Sequence, residues 1–159
     1  MNDAKELQLL NLEEMDEREA RHFLTELLSN LDPGEEYNAR HPEDYALEMP
    51  QSGERIRGRE TMRRFQESYS TLSPSEPMRG IRLRRVLVKD GLWIVEGIAD
   101  YDDGREALNV VLILELRDGK MWRDRWYFAE PFDAPEWRSP WVDRLEFPRD
   151  VPRNDNPDG

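Results

Sequence analysis

The sequence predicts an α+β domain in which helices come first and an antiparallel sheet follows. Asp-Gly dipeptides stand at residues 90–91, 103–104 and 118–119, and this dipeptide accepts the positive φ that both centres of a tight hairpin turn require. Residues 107–116 form the longest apolar run of the chain. The apolar residues of 16–30 instead recur at helical spacing. We therefore expect helices followed by a four-stranded antiparallel meander over residues 81–132.

The first predicted helix begins at Asp16, whose side chain can cap it, with Glu19 as the reciprocal partner of a capping box. It ends before Pro33, because proline disfavours the helical conformation of the residue before it. A short second helix is expected over residues 35–41.

Two short strands, 44–49 and 54–57, are expected to turn at residues 50–53. The third helix begins after Gly58, which interrupts the second of these strands. Its buried stripe is predicted to be Met62, Phe65 and Tyr69.

The chain has 159 residues, which is enough for one domain with its own core. Residues 1–15 are interpreted as an N-terminal extension and residues 16–132 as the domain. Residues 133–147 are expected to form an ordered C-terminal arm that packs back on the domain. Residues 148–159 are polar and rich in proline, and a disordered tail is expected there.

The composition limits the classes of partner. The formal net charge is −12 and there is no cysteine. An acidic surface repels nucleic-acid phosphates and anionic membranes, so neither is expected as a partner. The first residues lack the basic and apolar regions of a signal peptide, and no apolar stretch approaches the roughly 20 residues that span a bilayer. These features predict a cytoplasmic protein.

Counting back from the Asp-Gly turns assigns side chains to the two faces of the sheet, because successive residues of a strand point to opposite faces. One face then holds Arg85, Glu96, Asn109, Val111, Ile113, Asp124, Trp126 and Phe128. The other face holds Leu108, Val110, Leu112 and Leu114.

Two stretches resemble the nuclear transport factor 2-like superfamily, and in particular its SnoaL-like members. Residues 46–65, ALEMPQSGERIRGRETMRRF, are similar to that family's first strand, tight turn and following helix. Residues 117–132, RDGKMWRDRWYFAEPF, are similar to its final hairpin. The resemblance covers residues 16–132. It implies a cone-shaped, curved and mostly antiparallel sheet wrapped around about three N-terminal helices, with an internal apolar pocket.

The superfamily includes ketosteroid isomerases, scytalone dehydratase, limonene epoxide hydrolase and members without activity. Ketosteroid isomerases carry a general-base Asp just before a proline at the end of the first strand, where this chain has Met49 before Pro50. Their oxyanion-binding Asp corresponds to Ile113, and their pocket methionine corresponds to Asp124. Steroid isomerisation is therefore not expected. Met49 and Ile113 are instead predicted to contact a ligand.

The face predicted to line the pocket carries few ionisable groups, which suits a small-molecule site. Glu96 or Asp124 is a candidate general base with Arg85 to orient a partner, because burial raises the pKa of a carboxyl group. The alternative is that Arg85 and Glu96 form a cross-strand salt bridge and Asp124 pairs with a neighbouring arginine. The other predicted ligand contacts on this face are Asn109, Trp126 and Phe128.

His41 is a further catalytic candidate, because histidine titrates near neutral pH and the resemblance places the second helix near the pocket mouth. Tyr37 lies one helical turn earlier and would share its site. The alternative is a surface histidine paired with an acid. The other histidine, His22, is too distant in sequence for a recognisable metal motif, and nucleotide-binding motifs are missing. Neither a metal nor a cofactor is expected.

Three functions remain open at this point. The first is a SnoaL-like small-molecule-binding protein or cofactor-free enzyme that acts on a small apolar ligand. The second is a hydrolase or dehydratase that uses Glu96, Asp124 or His41 as its base. The third is a non-catalytic interaction module. The four alternating aliphatic residues of β-strand 107–116 that face away from the predicted pocket favour a homodimer, unless the arm covers them with Trp137 and Trp141.

Overall fold

The computed structural model describes residues 11–29, 37–72, 78–101 and 107–145. The helices are α1 (Glu17–Ser29), α2 (Tyr37–Arg40) and α3 (Arg59–Leu72). The strands are β1 (Ala46–Met49), β2 (Glu54–Arg57), β3 (Met78–Lys89), β4 (Leu92–Tyr101), β5 (Leu108–Arg117) and β6 (Lys120–Ala129). Short 3-10 turns lie before α1 and after β6, at Leu12–Glu14 and Glu136–Trp141.

The strands form one open six-stranded sheet in the order β2-β1-β6-β5-β4-β3. Every neighbouring pair is antiparallel except β1 and β6, which run parallel. The main core lies between the sheet and α1, and a smaller core joins α2 and α3 to β1. The α+β class and the four-stranded meander are confirmed.

Local sequence signals place the element boundaries where they were expected. The Asp16 backbone N–H donates to Glu19 Oε2 at 3.0 Å, and the Glu19 N–H donates to Asp16 Oδ1 at 2.8 Å, which completes the predicted capping box. Asp90 and Asp118 have φ values of 47° and 53°, and each is followed by a glycine with positive φ. These two turns therefore have the predicted geometry. The third, at 103–104, falls outside the described residues.

The register of the β5–β6 hairpin differs from the predicted register by one residue. Glu115 pairs with Arg123 while Leu116 pairs with Met121, so Trp122 is an extra residue on β6. Such a bulge reverses which face every later side chain of the strand points to. Asp124 consequently lies beside Leu114 and not beside Ile113.

The bulge corrects the predicted assignment of faces. The aliphatic residues predicted to point away from the pocket are buried in the core beneath the helices: they are Leu108, Val110, Leu112 and Leu114. The opposite face of the sheet is the outer face. On β5 it carries Asn109, Val111, Ile113 and Glu115. The expectation that these four aliphatic residues form a dimer surface is therefore wrong. The prediction that Asp124, Trp126 and Phe128 point toward the pocket side is confirmed.

Sheet curvature has a local cause in β3 and β4. The register between these strands shifts between Leu83 and Arg85, and Gly97 stands opposite the shift. A Cβ at Gly97 would lie 2.5 Å from the Arg82 backbone oxygen, so only glycine permits this approach of the two strands. Bulges combined with glycine are the usual means of bending a sheet.

Two other expectations need correction. On α3 Met62 is buried as predicted, but Phe65 is 41% exposed. Gln66, the next residue, faces the cavity in place of Phe65. The Tyr69 side chain is outside the described residues. The described part of the arm does not pack back on the domain, because Trp137 and Trp141 are 70% and 77% exposed.

Within the described ranges, the helices are all too short or too polar to cross a bilayer.

Candidate functional site

A cavity of about 40 Å³ lies between the inner face of β5 and β6 and the three helices. Leu112 and Leu114 line it from the sheet, Leu24 from α1, and Met62 and Gln66 from α3. One water needs roughly 10–15 Å³ of such space. The cavity therefore accommodates about three waters or a molecule of a few heavy atoms.

Asp124 is the acidic group of this cavity. It is 3% exposed and lies between Leu114 on β5 and Leu47 on β1. Its Oδ2 atom accepts a hydrogen bond of 2.8 Å from the Tyr45 hydroxyl. Its Oδ1 atom is buried and has no hydrogen-bond partner among the described residues. The carboxyl group is thus held at one oxygen and free at the other.

Burial raises the pKa of Asp124 from its usual value to about 7, because the aliphatic surroundings disfavour the charged form. The hydrogen bond from Tyr45 opposes this shift, and Glu115 adds to it by repulsion. The Trp126 indole also lowers the pKa, although its N–H does not reach hydrogen-bond geometry. A carboxyl group with this pKa both accepts and donates a proton near neutral pH.

Tyr45 is a site residue that the sequence analysis missed. It immediately precedes β1, and it reaches Asp124 because β1 pairs in parallel with β6, with Leu47 opposite Asp124. The alternation of Tyr45 and Leu47 indicates that both point to one side, but no local signal pairs strand 46–49 with strand 120–129. Burial and the nearby Asp124 charge raise the pKa of Tyr45 well above its ordinary value, so its hydroxyl stays a hydrogen-bond donor.

His41 and Tyr37 form the second polar part of the cavity wall. Their rings stack with centroids 4.2 Å apart, and His41 Nδ1 lies 3.0 Å from the Tyr37 carbonyl oxygen. Burial lowers the pKa of His41 to about 4, because the imidazolium form loses its hydration. The imidazole is therefore neutral at pH 7, with Nδ1–H donating and Nε2 able to accept. The expectation that His41 titrates near neutral pH is wrong.

Replacing His41 with Ala is expected to lower the free energy of unfolding by about 2 kcal/mol, because it removes a buried ring and its hydrogen bond. Thermal denaturation would measure the loss. The matched control is His22→Ala, since His22 is exposed on α1 and its loss should leave the melting temperature unchanged. Equal melting temperatures for the two variants would show that the buried stack contributes nothing to stability.

Several cavity residues carry buried polar atoms without a hydrogen-bond partner in the described part of the chain. Besides Asp124 Oδ1, these are Tyr37 Oη, Gln66 Oε1 and Trp126 Nε1. Buried polar groups of this kind are hydrogen-bonded by water or a ligand where no protein group reaches them. Together they present two donors and two acceptors.

The structure separates the predicted site residues into two groups. Asp124, His41, Tyr37 and Trp126 line the cavity. The remaining predicted residues do not. Arg85, Glu96, Asn109 and Ile113 belong to the outer face, and Glu96 lies 3.7 Å from Arg84 in an ion pair. Met49 is half-buried at the end of β1, and Phe128 packs against the main core.

The described residues contain no group of three His, Cys, Asp or Glu side chains that could hold a metal ion.

Arg40 on α2 lines the cavity as well. Arg59 lies beside this wall and donates from Nη1 to the carbonyl oxygens of His41 and Asn38, at 2.9 Å and 3.2 Å. The Arg59 side chain at the start of α3 thus holds α2 through the backbone carbonyl group of Asn38 and that of the residue that follows the helix, His41.

Among the described residues, an open curved sheet, three helices and a cavity with one buried acid define an α+β fold. An NTF-2 like protein of unknown function from Burkholderia xenovorans, whose structure is solved, is 35% identical to this chain with a TM-score of 0.62. The match covers 80% of this chain and 94% of that one. The chain belongs to the nuclear transport factor 2-like family.

Other solved structures agree. A putative ketosteroid isomerase from Kribbella flavida is 29% identical with a TM-score of 0.65, over 79% of this chain and 86% of that one. An epoxide hydrolase from M. tuberculosis that resembles limonene epoxide hydrolase is 20% identical with a TM-score of 0.53, over 70% and 80% of the two chains. This second likeness concerns the fold alone. No family model and no curated protein matches the chain.

Proposed function

We propose that the protein is a cofactor-free enzyme that transfers protons to and from a small, mostly apolar molecule carrying one oxygen function. The observation that carries the proposal is Asp124: a buried carboxyl group on the cavity wall, with a pKa of about 7 and one unpartnered oxygen. Strongly shifted pKa values in a cleft are typical of catalytic acids and bases.

Each polar group has a role in this proposal. Asp124 Oδ1 takes or returns the proton, while Tyr45 holds the carboxyl group through Oδ2. The Tyr37 hydroxyl and the Trp126 indole N–H are donors available to a substrate oxygen, where they would stabilise developing negative charge. Neutral His41 acts as a positioning residue through its stack with Tyr37.

The proposed substrate class follows from the cavity wall. Leucine and methionine side chains make up half of the lining residues, which favours an apolar body, and the polar atoms gather near β6 and α2. Ketones, epoxides and alcohols fit this pattern, whereas a steroid is much larger than a cavity of about 40 Å³. Hydrolysis or dehydration with Asp124 as the base falls within the same proposal.

Acetone and propylene oxide are suitable first probes, because both have four heavy atoms. Exchange of acetone protons in deuterated water and opening of propylene oxide to the diol can both be followed by proton NMR. A base that must be ionised makes the rate rise through pH 7. We expect Asp124→Asn to lower the rate by roughly 100-fold or more.

Glu96→Gln is the matched control, since Glu96 is a carboxylate of the same sheet on the outer face. It is expected to keep the wild-type rate. If neither probe reacts faster with the wild-type protein than with Asp124→Asn, and neither raises the melting temperature, the non-catalytic interaction module becomes the better proposal.

A further inference from the structure

Arginine side chains gather on the outer face of the sheet where β2, β1 and β6 lie side by side with the end of β5. The strand register places them there together with a few acids. The arginines are Arg55, Arg57, Arg117, Arg123 and Arg125, and the acids are Asp44, Glu48 and Glu115. The arginines outnumber the acids in this region, although the whole chain has a net charge of −12.

The acids neutralise only part of this arginine group. Glu48 pairs with Arg55 at 2.6 Å and with Arg125 at 3.3 Å. Asp44 pairs with Arg117 at 2.6 Å. The third acid, on β5, also contacts Arg125. All three acids are therefore engaged by three arginines, and two arginines remain.

The two remaining arginines lie on either side of a small residue. Ala46 on β1 is directly opposite Arg57 on β2 and Arg123 on β6, so the three side chains share one face. Neither arginine forms an ion pair within the described part of the chain. Adjacent strands are about 4.8 Å apart, which places the two Cα atoms roughly 10 Å apart with only a methyl group between them. Two long side chains can close on one anion across this gap.

Trp122 holds Arg123 in place. The guanidinium carbons of Arg123 and Arg117 lie 4.5 Å and 4.4 Å from the centroid of the Trp122 ring, and the indole N–H donates to Asp44 at 3.3 Å. Trp122 is the extra residue of the β6 bulge. The bulge brings its ring to Arg123, because consecutive side chains of a regular strand point to opposite faces. A cation–π contact satisfies none of the five N–H donors of a guanidinium, so Arg123 is positioned and still able to bind a ligand.

We propose that Arg57 and Arg123 bind the phosphate group of a small phosphate monoester above the Ala46 methyl group. Guanidinium groups match phosphate oxygens with paired hydrogen bonds, and a dianion balances the two unpaired charges. The acidic remainder of the chain repels nucleic acid and anionic membranes, which favours a small molecule free in solution. Asp124 points to the other face of the sheet, so this inference does not depend on the proposed function.

Isothermal titration calorimetry with phenyl phosphate tests the site. Arg57→Gln and Arg123→Gln are each expected to raise the dissociation constant by roughly tenfold or more, because a charged hydrogen-bond donor is lost. Arg55→Gln is the matched control, since it removes the same charge from the same face of β2 but from an arginine that Glu48 already neutralises. It is expected to change the dissociation constant by less than about twofold. Phenyl sulfate has a similar shape and one negative charge fewer, and it should bind more weakly.

Ala46→Glu tests the space between the two arginines. The new carboxylate would pair with Arg57 and Arg123, so the variant is expected to lose phenyl phosphate binding and keep its melting temperature. Vesicles that contain phosphatidic acid present the same phosphate group on a lipid, and the wild-type chain is expected to stay in the supernatant when they are sedimented. Circular dichroism confirms that each variant is folded.

Four results would each overturn the proposal. They are a wild-type chain without saturable binding of phenyl phosphate, an equal loss of binding in Arg55→Gln, full binding by a folded Ala46→Glu variant, and sedimentation with the vesicles that depends on Arg57 and Arg123.

Discussion

Replacing Leu112 with Glu is expected to unfold the protein, whereas the same replacement at the adjacent Val111 leaves it folded. Leu112 is 0% exposed and Val111 is 38% exposed. At Leu112 the change removes a buried aliphatic side chain, which costs about 2–5 kcal/mol, and adds an unpaired carboxylate to the core. The total is comparable to the whole stability of a typical domain, about 5–15 kcal/mol.

Far-ultraviolet circular dichroism and thermal denaturation of the two variants measure this difference. The pair is closely matched, because the residues are neighbours on one strand and receive the same new side chain. If the hairpin had the register counted from its turn, Leu112 would face outward and the variant would stay folded. A Leu112→Glu protein that melts within a few degrees of the wild type would therefore restore the original assignment of faces.

The second large effect is expected at Asp124 and depends on pH. The pKa of Asp124 is raised to about 7 in the folded chain, while an unfolded aspartate titrates near 3.9. Between these values the folded chain binds more protons than the unfolded chain. The free energy of unfolding therefore falls as pH rises from about 4 to about 7, by on the order of 4 kcal/mol in total.

Asp124→Asn removes this dependence, because the amide does not titrate. Relative to the wild type, the variant should gain stability progressively between pH 5 and pH 8. About 2.6 kcal/mol of the effect falls in this pH range, and at 1 kcal/mol for about 2–4 °C the relative gain in melting temperature is roughly 5–10 °C. The new amide N–H₂ adds a cost that is constant with pH, so the test is the slope against pH and not the value at one pH.

Glu96→Gln should keep the wild-type profile, since Glu96 is half-buried on the outer face. The buried His41 changes stability in the opposite direction: its pKa of about 4 lies below the ordinary value, so stability is lost as pH falls from about 6.5 to 4. The wild type, Asp124→Asn and Glu96→Gln all contain His41. Its contribution to the free energy of unfolding therefore cancels when the stability of a variant is compared with that of the wild type at the same pH. Parallel profiles for Asp124→Asn and the wild type would show that the carboxylate is ionised throughout.

The two predictions bear on different aspects of the protein. The pair at residues 111 and 112 tests which face of the sheet is the core, and hence which residues border the cavity. The Asp124 variant tests whether the cavity acid has the proton affinity that proton transfer at neutral pH requires. The stability slope does not need a known substrate, so it examines the site independently of the catalytic probes.

The amino-acid sequence by itself determined the elements and their order. Helical spacing, the capping box of Asp16 and Glu19, and the Asp-Gly turns are signals within a few residues of the chain, and local backbone chemistry is enough to interpret them. The family resemblance of residues 46–65 and 117–132 extended these signals to the arrangement of the sheet. Asp124, His41, Tyr37 and Trp126 were placed at the site on that basis.

Only the tertiary structure decided the faces of the sheet and the partners of the acid. One extra residue at Trp122 shifts the β5–β6 register, and strand alternation has a period of two, so this single insertion exchanges inside for outside. Tyr45 meets Asp124 across 79 residues of sequence, through a parallel pairing that no turn specifies. Burial, and with it the pKa of Asp124 and His41, depends on such distant contacts, because a side chain loses water only when the chain has closed around it.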